Sequence, residues 1–410
     1  MNPDITPESG PRILSTTEHQ AQLLRKQALL EQFLKIQFPS YNTETHLHLG
    51  GALSAHSIGT LAVLHGFNVE GRTHDQKMAF LRANRDDIKD LDSYLSTIYP
   101  LREAMQSNPE LMYQSVMLTA HEALRYWGTI RQGSGLPRVS AYEMQGIELR
   151  FNPIKRTTTI RHGGGNGQRG LFDMDRIVLD AIRGADAAEI YFKDTGLKIG
   201  FIFCLGRDLS VEDNGKVVRK IKECRERYPG RIIGLDLAGP ESENPLSDPK
   251  KLAEMAALYD IAAAPGDPAF KRTVHCGETE AIGIETFLAT LNALKPNRVG
   301  HPIAAYRASL EGDHRGLEFM AKHGITAEFC FESNLMTKRI PDARYFVSML
   351  SRFDEAGVPW SLNTDGCGTH DRNHAEELFE LFQYGLTAEQ IVAAMHTANQ
   401  SSFLPRGEAD

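Results

Sequence analysis

The chain has 410 residues, 41% of them hydrophobic, and a formal net charge of −8 from 45 Lys and Arg against 53 Asp and Glu. This mildly acidic balance argues against a nucleic-acid partner, which usually needs a basic face. The sequence contains no run of about 18 apolar residues, so we expect no membrane span. The polar start MNPDITPESG is not followed by an apolar core, so we expect no signal peptide.

The cysteines favour a reducing compartment. Their number is odd, they are scattered, and they include no C-x-x-C pair: Cys204, Cys224, Cys276, Cys330 and Cys367. A disulfide framework needs paired, regularly spaced cysteines, so the pattern predicts a cytoplasmic protein with free thiols.

In chain order, the sequence predicts an N-terminal arm and helix over 1–40, one large domain over 41–403 and a short tail over 404–410. Apolar residues recur at three- and four-residue intervals in 16–38, as on a helix. The same spacing recurs through 54–145, which we interpret as a helical insertion in the domain.

Eight short, apolar, β-rich runs follow one another, and helical patterns separate them. The runs are 43–49, 146–153, 198–206, 232–239, 272–278, 297–303, 325–333 and 359–365. Strands that alternate with helices form a parallel sheet, and eight of them close a barrel. The predicted fold is therefore a (β/α)8 TIM barrel with a helical insertion after strand 1.

Unusual polar residues stand at the predicted strand ends, where barrels carry their chemistry. His46 and His48 are two apart on one strand and so face the same way. His275 lies in the fifth run and Asp365 ends the eighth. Each histidine alone is more typical of a hydrogen-bonded or surface residue. Together, three imidazoles and a carboxylate suit Zn²⁺ with one position open for water, and they predict one zinc ion per chain.

Two further residues stand beside this predicted metal site. Glu278 follows His275 by three residues, and His301 ends the sixth run. A glutamate there is commonly a helix-start acid, and a lone histidine there is more often structural. Beside a metal, however, both are candidates for acid–base catalysis.

Five motifs carry a family resemblance. HLHLGGA, IIGLDLAGPE, TVHCGE, RVGHP and SLNTD occur in this order from about residue 43 to 366. In this series the chain resembles the adenosine deaminase family. The resemblance implies a mononuclear zinc barrel that removes the 6-amino group of a small-molecule purine, with adenosine or a related nucleoside as the first candidate.

The resemblance also implies roles for individual positions. The implied zinc ligands are His46, His48, His275 and Asp365. Glu278 matches the acid that protonates purine N1, and His301 matches the residue that holds and deprotonates the attacking water, which Asp365 helps to steer. The implied substrate contacts fall on Gly239, whose N–H would meet purine N3, and on His48, Gly50 and Gly366.

Two of these positions depart from the family. Gly50 replaces an acid that contacts the sugar 5′-hydroxyl, and Gly366 replaces the acid that bonds purine N7; Pro302 replaces a glycine. A buried N7 without a partner would cost about 1–3 kcal/mol. Three neighbours a few residues on could replace these contacts: His370, Asp371 and Asn373. Alternatively, the glycines could make room for a modified, 5′-substituted or phosphorylated adenine compound.

A glycine-rich loop over 156–170 gives one further hypothesis. Lys155, Arg156, Arg161 and Arg169 follow a strand end and could bind a phosphorylated substrate, although a solvated loop is the more usual interpretation of such a segment. We also interpret Glu148 and Arg150, two apart in the second run, as a buried polar pair, with support of the residues behind the metal ligands as the alternative role for Arg150.

Three alternatives compete with this prediction. A two-metal amidohydrolase usually bridges its ions with a modified lysine on the fourth strand, but IIGLDLAG contains no lysine; another mononuclear-zinc amidohydrolase remains an alternative. The cytidine deaminases carry H-x-E and then P-C-x-x-C, and residues 374–376 match only the first half. A non-catalytic metal-binding protein would need neither Glu278 nor His301. The sequence does not indicate an oligomeric state.

Overall fold

A computed structural model of the protein describes residues 16–71, 73–132, 138–157, 173–263 and 270–405. The ten strands of this part are Thr43–His48 (β1), Thr129–Arg131 (β2), Arg138–Ser140 (β3), Gly146–Phe151 (β4), Lys198–Gly206 (β5), Ile232–Ala238 (β6), Lys271–His275 (β7), Arg298–Gly300 (β8), Thr326–Cys330 (β9) and Trp360–Asn363 (β10).

The α-helices fall into two groups. Those before β4 are Thr16–Phe33 (α1), Leu49–Ala52 (α2), Ala55–Leu64 (α3), His74–Phe80 (α4), Leu91–Met105 (α5) and Pro109–Glu122 (α6). Those after it are Met174–Tyr191 (α7), Val211–Arg227 (α8), Pro249–Ala263 (α9), Ile284–Leu294 (α10), Ile303–Leu310 (α11), Arg315–His323 (α12), Phe331–Met336 (α13), Ala343–Glu355 (α14), Cys367–His370 (α15), His374–Gln383 (α16) and Ala388–Ser401 (α17).

Eight strands form one parallel sheet in the order β1-β4-β5-β6-β7-β8-β9-β10. Nearly every residue of these strands is buried, as expected where helices cover the outside of a barrel and side chains fill its interior. The predicted (β/α)8 barrel is therefore confirmed, and the eight predicted runs match the eight strands. The hairpin of β2 and β3 stands apart from this sheet.

The barrel closes at a seam between β1 and β10. Only one bridge, between Leu47 and Asp365, joins these strands in the described part of the chain. Side chains supply the remaining bonds: Asn363 Oδ1 accepts from the Thr45 backbone N–H at 3.1 Å, and Glu44 Oε2 accepts from the Thr364 N–H at 3.2 Å. The seam thus depends on buried polar side chains at residues adjacent to the candidate metal ligands.

The insertion after strand 1 is helical, as predicted, and comprises α2 to α6. The longest of these helices, α5, begins at a capping box in which Asp90 accepts from the Ser93 N–H. It packs on α2, the short helix that directly follows β1. The insertion therefore reaches the mouth of the barrel.

Parts of the predictions fall outside the described residues. These are the arm over 1–15, the loop over 158–172 with Arg161 and Arg169, and the end of the tail over 406–410. The division into arm, domain and tail stays a prediction. Along the described part of the chain, no helix has both the length and the apolar character needed to cross a membrane.

Candidate active site

Four predicted ligands converge at the mouth of the barrel. One nitrogen from each of His46, His48 and His275 lies within 4.8 Å of the others. His48 Nε2 is 3.1 Å from His275 Nε2, and Asp365 Oδ1 is 3.9 Å from His46 Nε2 and 3.5 Å from His48 Nε2. Ligands at about 2.0–2.1 Å from a tetrahedral zinc ion lie about 3.3 Å apart, so these separations fit zinc.

The buried polar atoms also fit a metal ion. His46 is fully buried, and its Nε2 has no hydrogen-bond partner in the described part of the chain. Burial lowers the pKa of His46 well below its usual value and lowers that of His48 to about 3, so both rings stay neutral and able to ligate. Burial opposes the charge of Asp365, but the adjacent His48 and His301 lower its pKa to about 2 and keep it ionised.

Acidic side chains orient two of the imidazoles. His46 Nδ1 lies 2.8 Å from Glu328 Oε2, and His275 Nδ1 lies 3.0 Å from Asp236 Oδ2. A carboxylate behind the ring fixes its tautomer and directs Nε2 at the metal, an arrangement usual for zinc-binding histidines. Neither contact was predicted from the sequence, which favoured a role for Asp236 in the glycine turn after its strand, although each acid is a charged residue within an otherwise apolar strand.

Arg150 joins these two acids at the centre of the barrel. Its Nη2 lies 2.6 Å from Glu328 Oε1, and its Nη1 lies 3.2 Å from Asp236 Oδ2, with all three side chains fully buried. The predicted pair of Glu148 and Arg150 is wrong, because Glu148 Oε2 accepts from Arg298 Nη2 at 2.5 Å instead. Both members of the predicted pair point into the barrel, but each meets a more distant strand.

We expect Arg150→Met to lower the free energy of unfolding by about 3–5 kcal/mol, because it leaves buried carboxylates without their counter-charge. Denaturant unfolding of the purified protein measures this loss. Arg315→Met is the control: Arg315 is a solvent-exposed member of an ion pair and should leave the transition midpoint near that of the wild type. A loss below about 1 kcal/mol for Arg150→Met would contradict the assigned role.

Two site residues adopt strained backbone conformations. His301 has φ 51° and Asp365 has φ 60°, in the left-handed region that non-glycine residues rarely occupy. Backbone bonds hold both: the His301 N–H donates to the Glu328 carbonyl at 3.0 Å, and the Asp365 N–H donates to the His46 carbonyl at 2.9 Å. Such strain costs about 1–3 kcal/mol per residue and concentrates at functional sites.

Glu278 is buried beside the candidate metal ligands, on a backbone segment that hydrogen bonds hold in place. The residue is 3% exposed, and burial raises the pKa of its carboxyl group. A second acid, Glu241, holds the backbone here: Oε1 accepts from the Gly277 N–H at 2.7 Å, and Oε2 accepts from the Thr279 N–H at 2.6 Å. Glu278 is therefore fixed in place and favours its protonated form, as a proton donor requires.

The short helix α13 and its C-cap residue contact all three candidate catalytic residues. Ser333 Oγ donates to Asp365 Oδ2 at 2.6 Å, and Asn334 Nδ2 lies 2.9 Å from His301 Nδ1. Thr337, which directly follows the helix, has its Oγ1 3.5 Å from Glu278 Oε1. One rigid element thus sets the relative positions of acid, base and carboxylate. Asn334 was expected from the sequence to help shape the pocket, whereas the contacts of Ser333 and Thr337 were not predicted.

A cavity of about 690 Å³ opens onto these groups, in the usual size range for small-molecule sites. Gly239, predicted to contact the substrate, lines it together with Glu278, His301 and Asp365. Gly239 has φ 100°, which a residue with a Cβ would rarely adopt. His48 also lines the cavity and so faces both the ligand cluster and the space for a substrate.

The two glycines that depart from the family do not leave open space. A Cβ on Gly50 would stand 2.9 Å from Tyr99 Cε1, and a Cβ on Gly366 would stand 2.7 Å from Thr369 Oγ1 and 3.4 Å from the Tyr94 hydroxyl. Tyr94 and Tyr99 belong to α5. The insertion therefore fills the volume that the missing acids would take, and the space beside these glycines does not go to a larger substrate.

A second group of possible ligand atoms joins His46 and His301 with Cys330. Burial raises the pKa of the Cys330 thiol well above its usual value. Because the thiolate is the form that binds metals, a protonated thiol is a poor ligand. The three histidines with Asp365 are therefore the better candidate.

Comparison with known proteins decides the family. The adenosine deaminase family model matches residues 42–410. The chain belongs to the adenosine deaminase family. Adenosine deaminase of Edwardsiella ictaluri is 29% identical over 266 residues, which cover 64% of this chain and 68% of the relative. Adenosine deaminase of Clostridium acetobutylicum is 23% identical over 367 residues, which cover 88% and 92%.

Solved structures share the fold of this adenosine deaminase family member. Adenine deaminase from Arthrobacter aurescens matches with a TM-score of 0.67 and 18% identity, over 89% of this chain and 94% of that one. An amidohydrolase from Burkholderia ambifaria with bound Zn has a TM-score of 0.67, 17% identity and coverage of 92% and 89%. An Arabidopsis protein complexed with IMP has a TM-score of 0.64, 17% identity and coverage of 92% and 94%.

Family membership also fixes the class of reaction. The protein is a hydrolase of carbon–nitrogen bonds, and its family is metal-dependent. The predicted resemblance is confirmed over most of the chain.

Proposed function

We propose that the protein is a zinc-dependent hydrolytic deaminase of an unphosphorylated 6-aminopurine, with adenosine or a related nucleoside as the first substrate. The observation that carries this proposal is the convergence of three imidazoles and Asp365 beside Glu278 and His301 in one cavity. The curated relatives named adenosine deaminase support the same substrate class.

The residues divide the chemistry among them. A zinc ion held by His46, His48, His275 and Asp365 would supply a nucleophile at neutral pH by lowering the pKa of water from 15.7 to about 7. His301 would accept a proton from the attacking water, and protonated Glu278 would donate to purine N1. A bond forms between the water oxygen and C6. The C6–N bond then breaks as the amino group takes the proton held by His301, and the remaining proton of the former water returns to Glu278. The products are ammonia and the 6-oxopurine, which keeps the proton on N1.

Asn334 would set the tautomer of His301 for this role. A base needs a free lone pair on Nε2, the nitrogen that lies 3.9 Å from Asp365 Oδ2. Asn334 Oδ1 is buried without a partner in the described part of the chain. If the amide rotates by 180°, Oδ1 accepts from a protonated His301 Nδ1 and leaves Nε2 free to take a proton.

Charge around the cavity favours an unphosphorylated substrate. Lys155 Nζ is paired with Asp208 Oδ2 at 2.7 Å, and Arg156 Nη1 lies 3.4 Å from Glu103 Oε1. Asp92 lines the same cavity. Both cations that the sequence analysis proposed for a phosphate, among the described residues, therefore already have carboxylate partners.

An ammonia-release assay across purines tests the proposal. With adenosine, deoxyadenosine, adenine, 5′-methylthioadenosine, AMP and N6-substituted purines, we expect adenosine or a close nucleoside to give the highest kcat/KM. AMP should be lower by about tenfold or more, because its phosphate would meet carboxylates. No ammonia from any of these compounds would contradict the proposed function.

A phosphorylated adenine compound is the second candidate. Its support is the position of Lys155 and Arg156 on the cavity and the fold shared with the Arabidopsis protein complexed with IMP. It is correct if AMP gives the highest kcat/KM and if Lys155→Glu raises KM for AMP without raising KM for adenosine.

A further inference from the structure

A 6-aminopurine carries ring nitrogens on both flanks of the reacting carbon C6. N1 is bonded to C6 directly, and N7 is bonded to C5 on the other flank; both are hydrogen-bond acceptors. In the proposed function, Glu278 after β7 serves N1. The opposite flank then faces the end of β10, where Gly366 offers no side chain. A donor for N7 has to come from another element.

The insertion places a hydroxyl at this point. Tyr94 of α5 is 2% exposed yet lines the cavity, and its hydroxyl lies 3.4 Å from where a Cβ of Gly366 would stand. A carboxyl group on that Cβ would extend into the volume that this hydroxyl occupies. A neutral hydroxyl suits an acceptor nitrogen better than a carboxylate does, because an ionised carboxylate has no proton to donate.

The surrounding hydrogen bonds fix the direction of the Tyr94 proton. Thr369 Oγ1 donates its only proton to the Gly366 carbonyl at 2.7 Å. The contact of 2.8 Å between Thr369 Oγ1 and the Tyr94 hydroxyl must therefore use the proton of Tyr94. His370 Nε2 lies 3.0 Å from the Tyr94 oxygen, and it then has to be the donor in that bond.

This chain of bonds makes Tyr94 a supported donor. His370 is buried, and burial lowers its pKa, so its neutral ring carries the one proton that it gives to Tyr94. Because the Tyr94 oxygen accepts from His370, its own proton can turn from Thr369 to a ligand while the oxygen stays bonded on the other side.

We propose that Tyr94, held by His370, is the residue that recognises N7 of the substrate ring, in place of the carboxyl group absent at Gly366. The proposal rests on the proposed function, because it assumes a 6-aminopurine substrate. It makes the helical insertion a determinant of specificity and requires an acceptor at the imidazole edge of the substrate.

The test compares adenosine with 7-deazaadenosine, in which a C–H group replaces N7. We expect Tyr94→Phe to lower kcat/KM for adenosine by about 10- to 100-fold, as the loss of one buried hydrogen-bond donor implies. The Ki of 7-deazaadenosine as a competitive inhibitor should change less than about twofold, because this ligand has no acceptor for Tyr94 to meet.

Tyr142→Phe is the matched control. Tyr142 is also buried and bonded to a histidine, His374, at 2.5 Å, but neither residue lines the cavity. The Tyr142→Phe substitution should leave both kcat/KM for adenosine and Ki for 7-deazaadenosine near their wild-type values, and so leave their ratio unchanged. Thermal unfolding and zinc content of Tyr94→Phe show whether the variant is folded and loaded.

Two outcomes overturn the inference. In the first, Tyr94→Phe lowers kcat/KM for adenosine and raises Ki for 7-deazaadenosine by the same factor, which indicates a structural role. In the second, Tyr94→Phe leaves kcat/KM for adenosine unchanged. Absence of ammonia release from every 6-aminopurine by the wild-type enzyme is a different result, and it overturns the proposed function together with this inference.

Discussion

Glu278→Gln should reduce kcat for the preferred 6-aminopurine by about 10²–10⁴-fold, the usual contribution of a positioned general acid. Glutamine has nearly the shape of glutamic acid and can still donate a hydrogen bond, but it cannot transfer a proton. The zinc content should stay at the wild-type value, because Glu278 is not among the candidate ligands. Steady-state kinetics and elemental analysis measure both quantities.

The pH dependence gives an independent check on the same residue. Burial raises the pKa of Glu278 above its usual value, and the proposed mechanism uses the protonated form. The wild-type kcat/KM should therefore fall as the pH rises through this elevated pKa, and it should be retained below it until other groups titrate. The residual activity of Glu278→Gln should lack this alkaline decline.

Glu280→Gln is the control for Glu278. Glu280 stands two residues further on, its side chain is 72% exposed, and it pairs with Arg339 and Arg307 outside the ligand cluster. Its substitution should leave kcat within about twofold of the wild type. If Glu278→Gln kept more than about one tenth of the activity, Glu278 would not be the general acid.

His275→Ala should abolish both stoichiometric zinc binding and deamination. The wild-type protein is expected to hold one zinc ion per chain and to lose activity on chelation. Removing one of three imidazoles leaves a site with too few ligands for tight zinc binding. The thermal midpoint should also fall, because an ion that binds only the folded state stabilises it.

Asp236→Asn should give an intermediate result. Asp236 contacts His275 Nδ1 rather than a metal position, so its loss should weaken zinc affinity about 10- to 100-fold, and excess zinc should restore activity. His374→Ala is the control, since this buried histidine bonds Tyr142 and the Leu362 carbonyl and should keep its zinc. Two zinc ions per wild-type chain would favour a two-metal amidohydrolase instead.

The strands and the candidate ligands were predictable because their signals are local. A strand end and the alternation of side chains place His46 and His48 together, and short motifs locate His275, Glu278 and Asp365. Each of these signals lies within a few residues of sequence. The barrel topology then brings the separate strand ends to one mouth.

The supporting residues were not predictable in the same way. Glu328 contacts His46 across 282 positions, and Arg150 contacts Glu328 across 178. Which inward-facing side chains meet inside a barrel depends on strand tilt and register, and neither appears in the hydrophobic pattern. For the same reason, Glu148 was assigned the wrong partner.

The contribution of the helical insertion to the cavity could not be predicted from the sequence either. Its periodicity predicts helices, but it does not say where a helix lies relative to the barrel. The hypothesis that Gly50 and Gly366 make room for a larger substrate therefore overlooked Tyr94 and Tyr99, which reach these glycines from α5. Contacts between elements that are predicted separately become visible only in the three-dimensional structure.

A metal ion at this site would stabilise the closure of the barrel between β1 and β10, in addition to its proposed role in catalysis. His46 and His48 stand on one side of this weakly paired junction and Asp365 stands on the other, so a shared ion would fasten the first strand of the barrel to the last. Removal of the ion should therefore destabilise the barrel at this seam first. Amide hydrogen exchange should accelerate in β1 and β10 before it does so in β5 and β6, which carry no candidate ligand and lie away from the seam.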